Sequence, residues 1–92
     1  MNIVGFENEH LLDSFKEGAE GRYGRHYEDF YVTAYIGDED YLEIKFTAEG
    51  ILLDQTEIDN LEIDVISVDG SKEISENLRK ELEYRLKELF EN

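Results

Sequence analysis

Cysteine is absent from the sequence, and basic residues are scarce. Without cysteine the chain can form no disulfide and no zinc site that uses thiolate ligands. Nine lysines and arginines stand against 24 acidic residues, which gives a formal net charge of −15 at pH 7. Because phosphate backbones repel such a chain, we expect no direct binding to nucleic acid and a basic protein as the partner.

Long hydrophobic runs are also missing. The N-terminal residues lack the basic region and the apolar core of a signal peptide. No apolar run approaches the ~18 residues of a membrane span, so we expect a cytoplasmic protein that does not contact a membrane. The 92 residues fit a single domain, residues 1–92, and their apolar positions are periodic, which favours a folded chain with a modest core.

Hydrophobic periodicity predicts two helices and four strands. A short helix is expected over residues 6–18, with Asn8 as its N-cap and Gly18 at its end, and a long helix over residues 75–91. The strand segments alternate with a period of two and cover residues 31–36, 41–47, 51–53 and 61–68. These elements predict an α+β fold, an antiparallel four-stranded sheet with a short N-terminal helix and a long C-terminal helix packed on one face.

The turns of this sheet allow alternatives. Residues that face each other in a hairpin share a face, so the first hairpin requires a loop of odd length. We favour Ile36 opposite Leu42 across five residues over Ile36 opposite Asp40 across three. A second turn is expected at Gly50. Near Val65 the apolar positions change from odd to even, which indicates either a bulge or cover on both faces.

Negative charge is concentrated in the predicted sheet. Residues 31–70 contain eleven acidic residues and one basic residue, Lys45. Acids two apart on a strand project from one face about 6.6 Å apart, which is about two steps of the phosphate rise along one DNA strand. Such an array can imitate phosphates. The alternative is that the acids only keep the sheet in solution, which would give the same composition. The candidate binding acids are Asp38, Glu39, Asp40, Glu43, Glu62 and Asp64.

Aromatic residues are concentrated in the same region. Tyr35 and Tyr41 fall on the amphipathic face of the first hairpin, where tyrosines beside acids are typical of a recognition surface. The alternative is a second core layer, in which the N-terminal helix covers this face. Tyr84 lies on the solvent side of the long helix and is the candidate for contact between two copies of the chain.

Signals for catalysis and metal binding are weak. The histidines have no motif around them, and the glycines of residues 18–24 precede a strand where a dinucleotide fingerprint requires a helix. Arg22 and Arg25 suit either an anion clamp or a solvated loop, and we favour the loop. Residues 38–40 do not fit the calcium loop. We therefore expect no catalytic residue, no metal and no cofactor, because an enzyme would need an enclosed pocket around His26 and the two arginines.

The closing part of the chain carries a resemblance to known proteins. It consists of a strand, a turn and a leucine-striped helix: Glu62-Ile63-Asp64-Val65-Ile66-Ser67-Val68-Asp69-Gly70, then Ile74, Ser75, Leu78, Leu82 and Leu86. This pattern resembles the tails of many small phage-encoded proteins. The whole chain, short and strongly acidic, is similar to phage-encoded inhibitors of host defence, including anti-CRISPR and DNA-mimic proteins. The resemblance implies an inhibitor and assigns no residue a role.

Two functions follow from these features. The first is a non-enzymatic acidic binding protein, an inhibitor that occupies the basic groove of a nucleic-acid-handling protein by electrostatic mimicry. In this hypothesis Tyr35 and Tyr41 are aromatic anchors beside the candidate acids. The alternative is a small structural or assembly module that forms a homodimer through Tyr84 or through the tyrosine face.

Overall fold

The structure, a computed structural model, describes residues 3–7, 10–54 and 57–91. Four strands form one antiparallel sheet in the order β1-β2-β3-β4, so that strands adjacent in the chain are adjacent in space. Two helices complete the α+β fold, as the sequence predicts. The elements are β1 (Ile3–Phe6), α1 (Leu11–Gly18), β2 (Gly24–Ile36), β3 (Asp40–Leu52), β4 (Ile58–Val68) and α2 (Glu76–Phe90).

The N-terminal elements differ from those predicted. Residues 3–6 form a strand, and Phe6 is buried in it instead of opening a helix. Helix α1 is shorter than expected because it begins at Leu11, with His10 at the N-cap position, while the predicted cap Asn8 lies outside the described residues. Gly18 is the last helical residue, and the chain leaves the helix through the positive φ of Glu20 (55°). A short apolar run does not distinguish strand from helix, which explains the error.

The β2–β3 hairpin is longer and tighter than predicted. Its strands have 13 residues each and pair from Gly24 opposite Leu52 to Ile36 opposite Asp40. The loop therefore has three residues, and the favoured five-residue loop is wrong. Gly37, with a φ of 64°, supplies the left-handed residue that such a tight loop requires. Asp40 remains in the ladder because its side chain reaches solvent at the end of the sheet.

No turn forms at Gly50, which lies inside β3 and is buried. A Cβ atom there would lie 2.4 Å from Cγ2 of Ile58, so glycine serves the close approach of β4 and not a chain reversal. The register with β4 shifts beside this residue and again where Lys45 and Phe46 face Ser67 and Val65. The second shift leaves one extra residue in β4, which confirms the bulge alternative.

The core lies between the inner face of the sheet and the helices. Leu82 and Leu86 of α2 are fully buried, and Phe90 meets the rings of three other phenylalanines. These rings come from α1, β2 and β3, namely Phe15, Phe30 and Phe46, with centroids 5.8–6.5 Å from that of Phe90. Ser75 caps α2 by accepting a hydrogen bond from the Leu78 N–H (3.2 Å).

Helix α2 also connects the two outer strands. The Val65 N–H donates to Oε2 of Glu83 (3.0 Å), and Arg79 donates to the Val65 carbonyl. At the opposite edge of the sheet, in β1, Arg85 donates to the carbonyl of Ile3 (3.2 Å). The backbone of β4 at Val65 thus finds its partners in helix side chains instead of a fifth strand.

Candidate binding face

The sheet has one face that neither helix covers. Phe15 of α1 packs edge-on against His26, which points to the inner side, with ring centroids 4.7 Å apart. Both helices therefore lie on the inner side, and the tyrosine face is not a second core layer. We call the opposite side the outer face. Alternation and register place on it Arg25, Tyr27, Asp29, Tyr31, Thr33, Tyr35, Tyr41, Glu43, Lys45, Thr47, Glu49, Ile51, Asp59, Glu62, Asp64 and Ser67.

Four tyrosines of the outer face are exposed to solvent. Tyr27, Tyr31 and Tyr35 recur every fourth residue along β2, and Tyr41 stands directly opposite Tyr35. Their exposed fractions are 59%, 72%, 41% and 58% in that order. A row of accessible aromatic rings on one sheet face is the kind of apolar surface that marks interaction sites.

The predicted residues near the hairpin end lie together. Tyr35 and Tyr41 flank the turn that carries Asp38, Glu39 and, at its end, Asp40. Glu43 follows one step further along β3. Its N–H donates to Oδ1 of Asp69 (2.8 Å) and its carbonyl accepts from the Asp69 N–H (2.7 Å), so the backbone is fixed while the Glu43 side chain is exposed.

The two predicted acids of β4 form a separate group. Glu62 stands opposite Glu49, and Asp64 stands opposite Thr47, four residues along β3 from Glu43. At ~3.3 Å per residue this is a separation of about 13 Å. Glu43, Glu62 and Asp64 therefore share the outer face in two separate places, while Asp38, Glu39 and Asp40 lie at the hairpin end, where Asp40 stands opposite the inner-face residue Ile36.

Ion pairs neutralise part of the outer face. Arg25 pairs with Glu49 (2.5 Å), and Arg79 lies 3.5 Å from Asp64, which makes Asp64 a less available acid than the sequence indicates. Lys45 lies over the ring of Tyr31, 5.7 Å from its centroid. Within residues 3–7, 10–54 and 57–91, the remaining acids of the outer face and its turn have no ion pair: Asp29, Asp38, Glu39, Asp40, Glu43, Asp59 and Glu62.

Sequence reasoning missed the half of the face that β2 contributes before Tyr31. Tyr27 and Asp29 belong to this half. The neighbouring inner positions carry His26 and Glu28, which interrupt the apolar alternation of β2. These polar residues are tolerated on the inner face because His26 Nε2 and Glu28 Oε2 lie 3.4 Å apart beneath α1. The four-residue spacing of the tyrosines was the available signal.

Tyr84 lies closer to the acids than its helical position indicates. It is 66% exposed and lines an open groove of about 620 Å³ together with Tyr27, Glu62 and Lys87. The groove runs between the outer face and α2. The residue proposed for contact between copies thus borders the same surface as the candidate binding acids.

Two of the three residues around which an enzyme would need an enclosed pocket project to opposite faces of the sheet. Arg25 projects to the outer face, whereas His26, its neighbour, projects to the inner face against Phe15. In the described part of the chain, no group of three or more metal-ligating side chains converges. No helix among the described residues is long and apolar enough to cross a membrane. Comparison with protein-family models, curated proteins and solved structures found no match.

Proposed function

We propose that the protein is a non-enzymatic binding protein whose outer face occupies a basic groove of a nucleic-acid-handling protein. The observation that supports this function is the uncovered outer face, which presents exposed tyrosines among acids that outnumber the cations beside them. It carries six acidic residues and two basic ones. Helix α2, which packs on the inner face, carries four residues of each sign and adds no net charge there.

The spacing of the acids suits a partner that grips phosphates. Glu62 and Asp64 are two residues apart, about 6.6 Å, and Glu49 faces Glu62 on the next strand, about 5 Å away. Like charges placed directly opposite each other destabilise a sheet. Arg25, which pairs with Glu49, offsets part of this cost, and lysines or arginines of a partner would offset the rest at Glu62.

The length of the molecule and the aromatic content of the face also support this function. The molecule extends 38 Å along its long axis, close to the ~34 Å of one turn of B-DNA. Tyr35 and Tyr41 stand side by side at one end of the face, where they supply the apolar anchors that carry much of the affinity of protein interfaces. The acids then set the association rate and the choice of a basic partner.

Salt-dependent capture tests the proposal. The chain is immobilised, exposed to a cell lysate, and eluted with NaCl from ~0.05 to ~1 M or with duplex DNA, and the eluted proteins are identified by mass spectrometry. We expect nucleic-acid-binding proteins that both DNA and about 0.5 M salt release. Partners that stay bound up to 1 M salt would contradict electrostatic mimicry, because screening there is reduced to about 3 Å.

A matched pair of variants locates the effect on the face. Glu43→Gln combined with Glu62→Gln removes two charges from the outer face. Glu88→Gln combined with Glu91→Gln removes two charges from the exposed end of α2. We expect the first variant to release its partners at lower salt and the second to behave as the unmodified chain. Equal effects of the two variants would show that total charge, and not the face, controls binding.

A second candidate function is an assembly module that forms a homodimer through Tyr84. The exposure of Tyr84 at the edge of the groove that it shares with Tyr27 favours it. Sedimentation velocity distinguishes the two functions. A dimer that Tyr84→Ser converts to a monomer, in the absence of any other partner, would favour assembly over mimicry.

A further inference from the structure

Strand β2 has a strand neighbour on only one side over most of its length. β1 pairs with β2 from Ala34 to Ile36, and the Glu7 N–H donates to the Thr33 carbonyl (2.9 Å), where this contact ends. From Gly24 to Val32, β2 continues with β3 as its sole strand partner in the described residues. We call the unpaired side of this stretch the open edge.

The direction of the backbone groups on the open edge follows from two hydrogen bonds. In a strand, the N–H and C=O of one residue point to the same side, and successive residues alternate. The Thr33 carbonyl points to β1, so the odd residues of β2 point to that side. Glu43, opposite Thr33, supports this assignment because its own N–H and C=O bond Asp69 on the far side of β3.

Four residues, Arg25, Tyr27, Asp29 and Tyr31, therefore present unpaired backbone groups at the open edge, with Arg25 at its end. Among the described residues, no other part of the chain bonds these N–H and C=O groups. Their side chains project to the outer face, with the Asp29 carboxylate between two exposed rings about 6.8 Å to each side.

The open edge lacks two of the features that usually block strand addition, proline and bulges, and its one inward-pointing acid, Glu28, lies 3.4 Å from His26. Natural edges carry proline, bulges or inward-pointing charges, or a helix covers them. The chain contains no proline, and the β2–β3 register runs without a shift from Gly24 to Ile36. The edge of β4 differs, because α2 occupies it at Val65.

We infer that the open edge binds an extended basic segment of a partner protein by strand addition. The partner's backbone pairs with Tyr27, Asp29 and Tyr31, and one lysine or arginine of the segment lies over Asp29 between the two tyrosine rings. Charge favours this occupant over a second copy of the chain. Two chains, each with a net charge of −15, would repel each other and would bring their Asp29 carboxylates close together. The inference uses backbone groups that the mimicry proposal does not need, so either can fail alone.

Amide hydrogen exchange measured by NMR on the full chain tests this inference. The probe is a blocked seven-residue peptide in which valine alternates with arginine. In the free protein at low concentration, the amides of Tyr27, Asp29 and Tyr31 exchange fast, while those of Glu28 and Phe30, which point to β3, are protected. Saturation with the peptide slows exchange of the three odd amides by about tenfold or more and leaves the even amides unchanged.

Controls separate strand addition from general attraction between opposite charges. A peptide with a central proline, or with glutamate for arginine, gives no protection of the odd amides. Asp29→Asn weakens binding of the arginine peptide about two- to fivefold, whereas Asp59→Asn, which removes the same charge two strands away, changes it less.

Four results would overturn the inference. The first is slow exchange of the odd amides in the dilute free protein. The second is peptide binding that leaves those amides unprotected, and the third is no peptide binding at all. The fourth is protection that rises with the concentration of the protein alone, which would make a second copy the occupant. None of these outcomes bears on the salt-dependent capture by the acids at Glu43 and Glu62.

Discussion

Glu83 is expected to stabilise the edge of β4 more than any exposed acid of the same helix does. Glu83→Ala removes the acceptor of the Val65 N–H, which lies in a part-buried position beside a fully buried side chain. A buried donor left without a partner costs about 1–3 kcal/mol. A chain of 92 residues has a free energy of unfolding of about 5–14 kcal/mol, so this loss is a large share of it.

Urea unfolding followed by circular dichroism measures the effect. With a slope of about 1–2 kcal/mol per molar urea, a loss of 2 kcal/mol lowers the midpoint by about 1–2 M. Glu83→Gln keeps an oxygen acceptor but loses its charge, and we expect about half of the loss. The matched control is Glu88→Ala, an exposed position on the same helix, where the change should stay within about 0.5 kcal/mol.

The exchange rate of the Val65 amide checks the mechanism directly. It should rise in Glu83→Ala and stay unchanged in Glu88→Ala. Equal unfolding free energies for the two variants, or a Val65 amide that stays protected without Glu83, would refute the assignment of this hydrogen bond as the closure of the edge.

Three further changes have expected outcomes. Phe90→Ala removes the ring that joins the aromatic cluster and should cost about 3–5 kcal/mol in urea unfolding, whereas a loss below ~1 kcal/mol would contradict its central position. Gly50→Ala forces a methyl group against Ile58 and should cost about 1–3 kcal/mol by the same assay, and an unchanged midpoint would disprove the close approach. Glu62→Lys places a cation opposite Glu49, which already pairs with Arg25, so it should raise the unfolding free energy towards the lower end of about 0.2–1 kcal/mol while lowering the salt needed to release partners; a loss of stability would contradict the register.

The elements with strong local signals were predictable from the sequence. Helix α2 matches its prediction to within one residue at each end because Ser75 supplies a cap and its leucines keep a helical period. Face parity also restricted the first hairpin to an odd loop. Parity could not choose between three and five residues, since the choice depends on whether Asp40 stays in the ladder at the sheet end.

The remaining errors come from tertiary contacts. Glycine is typical of turns, but Gly50 lies in a strand, because the side chain of Ile58 occupies the space that a Cβ atom would fill. The first part of β2 was missed because His26 and Glu28 point inward, a position that only the cover of α1 makes acceptable. The outer face was therefore predicted at its turn and at β4, while Tyr27 and Asp29 required the structure.

The edges of the sheet differ in what covers them, and this difference affects how many molecules can associate by strand pairing. Helix α2 occupies the backbone of β4 at Val65, so we expect an added strand to align with the open edge of β2. A foreign segment that does so gives a one-to-one complex. If two molecules of this chain paired through their open edges instead, each would use that edge once, and this pairing would stop at a dimer. A filament would need a second pairing surface on each subunit, which the open edge alone does not supply.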